Sequence, residues 1–204
     1  FSGRDLKIPE MTATLLGGPL KLKGGLQDDG RVRLALDGKI DIAQLRKLTD
    51  LPLLDRVSGS TSYRGEVCAN KKSADLVIDS SLQGIASSLP EPFNKSANET
   101  LALHLEKKEL PESSFTAASN SIPGPKTANP TMLDSTRITL GNAISMQIVR
   151  RQRGDALAIE RGALAIGRPL VLPKSGMALG VTAKQIDIDA WQSLLGTLDD
   201  KSTP

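Results

Sequence analysis

The sequence predicts a mainly β fold built around an extended antiparallel sheet. The first indication is a period of two in many segments, where apolar residues such as Leu20 and Leu22 alternate with Lys21 and Lys23. Strands of this kind have one dry and one wet face, and one-sided strands are typical of antiparallel sheets. The second indication is that the dry face is aliphatic, since the chain has only three Phe, one Tyr and one Trp. What covers this dry face, a second sheet or a guest that is not protein, is left open by the pattern.

Composition excludes several function classes. The 204 residues are 39% hydrophobic and 24% charged, and no apolar run approaches the length of about 18 residues that spans a bilayer. A net charge of +3 is too small to predict nucleic-acid binding, and five scattered aromatic residues do not make a base-stacking platform. Cys68 is the only cysteine, so no internal disulfide can form. Because the chain opens on Phe1, we expect it to be an internal piece of a longer protein.

The first predicted unit covers residues 1–106. It begins as a β-meander over 4–38, with turns at 17–19 and at Asp28-Asp29-Gly30, which is a strong hairpin signal. Apolar residues at helical spacing over 41–48 then predict a short helix capped by Asp41. An apolar connector at 51–54 follows, and strands are predicted near 60–68, 74–83 and 99–106.

Residues 107–135 are predicted to be a loop or linker, because prolines at 111, 123, 125 and 130 stand among Ser, Thr, Asn and Ala. The second β unit covers 136–204 and ends in a short helix near 189–195. Its closing segment, Ile186-Asp187-Ile188, echoes Ile40-Asp41-Ile42 at the first helix. This favours a repeated unit of several strands and a capping helix, although strand-to-helix junctions could also resemble each other by chance.

The residues of common catalytic and cofactor sites are missing. The single histidine, His104, alternates with Leu103 and Leu105 and is therefore predicted on the wet face. The sequence has no G-x-S-x-G element, no phosphate-binding G-x-x-x-x-G-K-[ST] loop and no D-x-D-x-D-G calcium loop. One Cys and one His are too few for a zinc site. We therefore expect neither an enzyme nor a cofactor or metal.

Three arginines, Arg150, Arg151 and Arg153, cluster before Gly154-Asp155. Their simplest interpretation is a solvated hairpin turn. Contact with anionic lipid head groups or with a charged partner is the functional alternative. The tripeptide at 153–155 spells an adhesion motif, but that spelling arises easily in a turn.

Several segments taken in order resemble the YhdP branch of the AsmA-like proteins of Gram-negative bacteria. The similarity touches most of the chain outside 107–135. The segments that carry it are Leu16-Gly17-Gly18-Pro19-Leu20 with Gly24-Gly25, Leu51-Pro52-Leu53-Leu54 with Ser58-Gly59 and Tyr63-Arg64, Ser81-Leu82-Gln83-Gly84 with Leu89-Pro90-Glu91-Pro92-Phe93 and Lys95, Arg161-Gly162-Ala163-Leu164-Ala165-Ile166-Gly167, and Ile186-Asp187-Ile188-Asp189-Ala190-Trp191.

The resemblance implies a long periplasmic protein that is anchored in the inner membrane by an N-terminal helix, and this chain is expected to be an internal slice without that helix. It also implies a U-shaped β-sheet whose apolar groove carries phospholipid from the inner to the outer membrane. No catalytic motif is implied. Expected partners are phospholipid acyl chains and neighbouring units of the same longer chain, with self-association through exposed sheet edges and no nucleic acid.

The expected lipid-contacting residues are the apolar members of the alternating runs. They are Leu20, Leu22, Val32, Leu34, Leu36, Leu76, Ile78, Leu101, Leu103, Leu105, Ile144, Met146, Ile148, Leu157, Ile159, Leu164, Ile166, Leu179 and Val181. The alternative is a structural or assembly module, acting as a spacer or chaperone, whose apolar residues pack on a second sheet. A carbohydrate-binding module is disfavoured, because sugar stacking needs exposed aromatic residues.

Overall fold

A computed structural model describes residues 7–49, 51–70, 73–110, 133–153, 156–183 and 187–199. Within them the fold is mainly β, as predicted, with two short α-helices, α1 (Ile42–Leu48) and α2 (Ile188–Asp199), and one 3-10 turn (Pro52–Arg56). The strands are β1 (Lys7–Leu15), β2 (Gly18–Leu26), β3 (Val32–Asp41), β4 (Val57–Ala69), β5 (Ala74–Ser80), β6 (Ile85–Ser87), β7 (Leu103–Leu110), β8 (Leu133–Leu140), β9 (Ile144–Arg153), β10 (Ala156–Ile166) and β11 (Gly176–Val181).

The described strands form one open sheet whose order follows the chain. From edge to edge the order is β1-β2-β3-β4-β5-β7-β8-β9-β10-β11, and the short β6 pairs with the start of β4. The sheet is not closed into a barrel. Neighbouring strands are antiparallel, except that β10 and β11 run parallel. The prediction of an antiparallel sheet is therefore wrong for this last pair of strands.

The parallel pair follows from the connection between its strands. Residues 167–175 run back from the end of β10 to the start of β11, a longer path than the two to five residues of a hairpin loop. The segment crosses one face of the pair, since a Cβ on Gly180 would lie 3.0 Å from Arg168 Cδ. Ala163 and Ala165 are buried on that face. Small residues at these positions leave room for the crossing chain.

The turns of the first three strands confirm the predicted β-meander. Leu16 and Gly17, both with positive φ, join β1 to β2, so this turn lies one residue earlier than predicted. Between β2 and β3, Gly30 has φ +75° and its N–H donates to Gln27 O at 2.9 Å. A left-handed conformation of this kind favours glycine, which explains why the Asp-Asp-Gly signal predicted the turn.

Both ends of the segment predicted as a loop over 107–135 belong to strands. Residues 107–110 complete β7 and residues 133–135 begin β8, and these two strands pair along their whole length. Strands from both predicted units therefore lie in the same sheet. The remaining stretch, 111–132, lies outside the described residues. All four prolines lie in that stretch, whereas the alternation of polar and apolar residues continues closer to it than the predicted bounds of the loop.

Both predicted helices are present, and α1 has the predicted N-cap. Asp41 Oδ1 accepts a hydrogen bond from the Ala43 N–H at 2.8 Å, and α1 begins at the next residue. At the equivalent place in the second echo segment, Asp187 Oδ1 accepts from the Ala190 N–H at 2.9 Å. The two aspartates thus satisfy first-turn N–H groups that have no partner within a helix. Helix α2 continues to Asp199, four residues beyond its predicted end at 195.

The helices meet the same end of the sheet, which we call the helix end. Helix α1 follows directly from β3, and α2 contacts the connection between β5 and β7. There the Trp191 ring stands edge-on to Phe93 with centroids 5.7 Å apart, and Trp191 Nε1 donates to Glu91 O at 3.2 Å. The opposite end, with the turn at 27–31, is called the hairpin end. The sheet is therefore capped at one end of its strands.

Candidate functional site

One row of the sheet register is apolar in all ten strands of the main order. Every residue in it pairs with its neighbour in the next strand, and every one is Leu, Ile, Met or Gly. From β1 to β11 the row is Met11, Leu22, Leu36, Gly65, Ile78, Leu105, Ile138, Met146, Leu164 and Leu179. Its nine inter-strand steps, at about 4.8 Å each, extend over about 43 Å. We call the surface that carries this row the apolar face.

The adjacent row, one residue along each strand, lies on the other side of the sheet, which we call the opposite face. It is Thr12, Lys21, Asp37, Arg64, Asp79, His104, Thr139, Ser145, Ala165 and Gly180. The six members of this row in β1 to β7 are all polar or charged. They include exposed pairs, such as His104 and Asp79, whose Nδ1 and Oδ1 atoms are 2.7 Å apart. None of the six side chains is buried, so this part of the sheet is a solvated surface, and His104 lies on the wet face as predicted.

The packed interior of β8 to β10 lies on the opposite face. Leu133 and Val149 are the most deeply buried large side chains among the described residues, at 1% and 0% exposure, and the register puts both on that side. On the apolar face, burial is concentrated in the helix-end row at Leu20, Tyr63 and Ile144. The apolar face is therefore not the part of the molecule that the protein packs most tightly.

Exposure of apolar side chains on the apolar face is greatest along its edge strands. Leu179 is 70% exposed and Met177 is 65% exposed on β11, and Met11 on β1 is also exposed. Within the described residues, the strands all belong to the one network of sheet pairing, and no second sheet is stacked on this face. None of the ten residues of the apolar row is buried, so incompletely covered apolar surface continues from β1 to β11. An exposed apolar surface of this kind is typical of an interaction or ligand-binding surface.

The predicted lipid-contacting residues converge on this surface. All except Leu101 lie in strands, and the register puts every one of those on the apolar face. Leu101 precedes β7 and its Cδ1 lies near Gly141 at the helix end. The predicted set left out Met11, Val67, Ile138 and Met177, which share the face. For Met11 and Val67 the run of alternation itself went unrecognised. The alternation around each was the available signal, but Pro9 and Gly65 interrupt it.

The predicted arginine cluster is divided between the two faces. Arg150 lies on the apolar face together with Met146 and Ile148 of the same strand. Arg151 lies on the opposite face and pairs with Glu160. The side chain of Arg153 and the turn predicted at 154–155 lie outside the described residues. Arg150 and Arg151 therefore do not form one patch, and of these two Arg150 belongs to the candidate site.

Arg150 is part of a charged group on the apolar face that sequence reasoning missed. Its Nε and Nη2 donate to Asp134 Oδ1 and Oδ2, both at 2.8 Å, which is a bidentate contact. Lys107 Nζ lies 3.7 Å from Asp134 Oδ2. We call Lys107, Asp134 and Arg150 the charged strip. Its signal in the sequence was Lys107, a charge in phase with Leu103 and Leu105.

One known protein family is similar to this chain along its whole length. A family profile described as YhdP protein matches residues 1–204, the whole chain. The chain belongs to the YhdP family. Comparisons with curated proteins and with solved structures found no match. The family assignment agrees with the resemblance seen in the sequence, and it indicates a cell-envelope protein related to lipid transport.

The described residues of this YhdP-family chain contain neither a membrane-spanning helix nor a metal-binding cluster. None of the described helices is both long enough and apolar enough to cross a membrane. No group of three or more His, Cys, Asp or Glu side chains suited to a metal ion occurs in the described ranges. The apolar face with its charged strip is the candidate site.

Proposed function

We propose that this chain is part of a periplasmic, non-enzymatic bridge-like protein whose apolar face conducts phospholipid between the inner and outer membranes. The observation that carries the proposal is the apolar row that crosses ten strands over about 43 Å. A folding core alone does not need such a row, because the most deeply buried side chains, Leu133 and Val149, lie on the opposite face. Family membership adds independent support.

The chemistry of the row suits a moving hydrocarbon chain. Burying one CH₂ group contributes about 0.8 kcal/mol, so an acyl chain is held without any specific polar contact. The row contains neither aromatic rings nor β-branched residues other than Ile78 and Ile138. Flexible Leu and Met side chains adapt to different tail positions. A nearly uniform aliphatic surface makes successive positions of a tail similar in free energy, which transport along the sheet requires.

Continuity along a longer protein is part of the same proposal. At the sheet edges β1 and β11, strand hydrogen-bonding groups can pair with another strand. We propose that neighbouring units of the same longer chain extend the sheet there, so that the apolar row continues across the periplasm. The same edges would allow self-association of this chain in isolation. No nucleic-acid partner enters the proposal, and contact with the membranes would be made by other parts of the longer protein.

The test is lipid capture by the purified chain. Organic extraction followed by mass spectrometry should yield stoichiometric phospholipid. Photo-crosslinking residues at Leu34, Leu103 and Met146 on the apolar face should form lipid adducts. Matched controls one residue away at Ala35, His104 and Gln147 point to the opposite face and should not. Adducts only to protein from the three apolar positions, with a lipid-free extract, would contradict the proposal and support the structural or assembly module instead.

A further inference from the structure

The charged strip lies on the apolar face near the hairpin end, next to the apolar residues of β7 and β9. On β9, Arg150 is the next residue on the apolar face after Met146 and Ile148. On β7, Lys107 follows Leu105 in the same way. Residues two apart along a strand are separated by about 7 Å. Along their own strands, Lys107 and Arg150 are therefore about 7 Å from the nearest apolar residues on this face, measured along the backbone.

Asp134 positions both cations. The Asp134 side chain is only 13% exposed, while those of Lys107 and Arg150 are 34% and 32% exposed. The strip contains two positive groups and one negative group, a net charge of +1, and its cations are more exposed than its carboxylate. The contact with Asp134 uses two of the five N–H donors that a guanidinium carries. The remaining donors of Arg150 are suited to an oxyanion.

Glu109 is the other charged group beside the strip. It lies opposite Asp134 in the register, and its Oε1 accepts from the Ala74 N–H at 3.3 Å on β5. Arg150, two strands away from Glu109 on β9, lies on the far side of Asp134. The negative charge of Glu109 is thus directed toward β5, and the positive character of the strip is greatest at β9.

We propose that Arg150 and Lys107 bind the phosphodiester of a phospholipid whose tails lie on the apolar face. This inference rests on the proposed function. A phosphate at the strip would accept charge-assisted hydrogen bonds from Arg150 and attraction from Lys107, while the tails extend from Ile148 and Leu105 toward the centre of the sheet. Asp134 is a positioning residue, because it orients both cations without contacting the phosphate. The strip would therefore fix the side of the apolar face on which head groups travel.

The decisive comparison uses two lipids with the same short tails, phosphatidylglycerol and diacylglycerol, and measures binding to the full chain by native mass spectrometry. The wild-type chain should bind the phospholipid about tenfold more tightly, equivalent to one charge-assisted hydrogen bond. Arg150→Gln should abolish that preference and leave diacylglycerol binding unchanged. Lys107→Gln should reduce the preference too. The contact of Lys107 with Asp134 is longer than that of Arg150, and its side chain is slightly more exposed. Lys107→Gln therefore keeps the test valid if Arg150→Gln does not fold.

Arg151→Gln is the matched control. Arg151 is adjacent on β9, is also paired with a carboxylate, and lies on the opposite face, so its loss should leave the preference intact. An equal effect of the two arginine substitutions would overturn the inference, as would equal binding of both lipids to the wild-type chain. Tight binding of tail-free glycerophosphoglycerol would show a site for soluble phosphates and also overturn it. Failure of both lipids to bind would instead overturn the proposed function itself.

Discussion

The ring of Tyr63 occupies the space that a side chain on Gly38 would need. The two residues form a cross-strand pair on the apolar face, and a Cβ built on Gly38 would lie 2.6 Å from Tyr63 Cζ and Oη. Tyr63 is only 8% exposed. Because an aromatic ring laid over a glycine covers backbone that would otherwise be open, the pair closes the apolar face at its helix end.

A side chain at position 38 should therefore destabilise the fold. Gly38→Val forces the buried Tyr63 ring to move, and overpacking of this kind costs about 1–3 kcal/mol. The free energy of unfolding from urea denaturation measures the effect. Ala35→Val, on the exposed opposite face of the same strand, is the control and should change stability by less than about 0.5 kcal/mol. Equal effects of the two substitutions would show that the contact between ring and glycine is unimportant.

The same tyrosine predicts a change of stability at alkaline pH. Burial raises the pKa of the Tyr63 phenol above its ordinary value of about 10. Since the folded pKa lies above the unfolded one, the stability contribution is complete below about pH 10 and is lost as the pH rises through the folded pKa. Tyr63 is the only tyrosine, so phenolate absorbance reports it alone. Folded chain should titrate at higher pH than urea-unfolded chain, and Tyr63→Phe should have a shallower loss of stability above pH 10.

Lys95 should be the largest single polar contribution to the loop between β5 and β7. Its side chain is buried, and Nζ donates to the carbonyls of Leu82, Ile85 and Ser96 at 2.9, 2.8 and 3.0 Å. Lys95→Met removes all three bonds and leaves the carbonyls without their donor, at a cost on the order of 3 kcal/mol in unfolding free energy. Lys23→Met, at an exposed strand position, should cost almost nothing. A small effect at Lys95 would mean that water replaces the ammonium group.

Helix α2 should dock less tightly when its aromatic contact is removed. Trp191 is the only tryptophan, and it reaches the loop through Phe93 and the Glu91 carbonyl. Such aromatic pairs contribute about 0.5–1.5 kcal/mol beyond the area that they bury. Phe93→Ala should therefore shift Trp191 emission to the red and raise its quenching by acrylamide. Leu51→Ala, at an exposed position, should leave both signals unchanged, and an unaltered spectrum in Phe93→Ala would contradict this docking.

The apolar face was largely predictable because a period of two is a local property. Leu34, Leu105 and Met146 are far apart in the chain, but alternation with polar neighbours predicted the side of a strand on which each one lies. The same rule separates Arg150 from Arg151, since adjacent strand residues point to opposite faces. Their grouping as one basic cluster therefore followed closeness in the sequence and ignored the alternation.

Other features could not be predicted because they depend on pairing between distant strands. Asp134 meets Arg150 only because β8 and β9 pair in one particular register, and the predicted loop over 107–135 hid the start of β8. Likewise, the parallel direction of β11 is set by where residues 167–175 cross the sheet, and no local pattern encodes that path. The charged strip was thus visible in part, as a lysine in phase with leucines, but its partners were not.

The proposed role of the apolar face leads to a last prediction, which uses two adjacent residues of β3. Leu34 lies on the apolar face beside Gly24 and Val67, whereas Ala35 lies on the opposite face between Lys23 and Glu66. A carboxylate in contact with hydrocarbon loses its hydration, which costs several kcal/mol. Leu34→Glu should therefore lower the phospholipid recovered with the purified chain by at least about tenfold, while Ala35→Glu retains it. Circular dichroism should show the same strand content in both variants, because neither position is among the buried core residues. Equal lipid recovery from the two variants would mean that the tails do not lie on this face of the sheet.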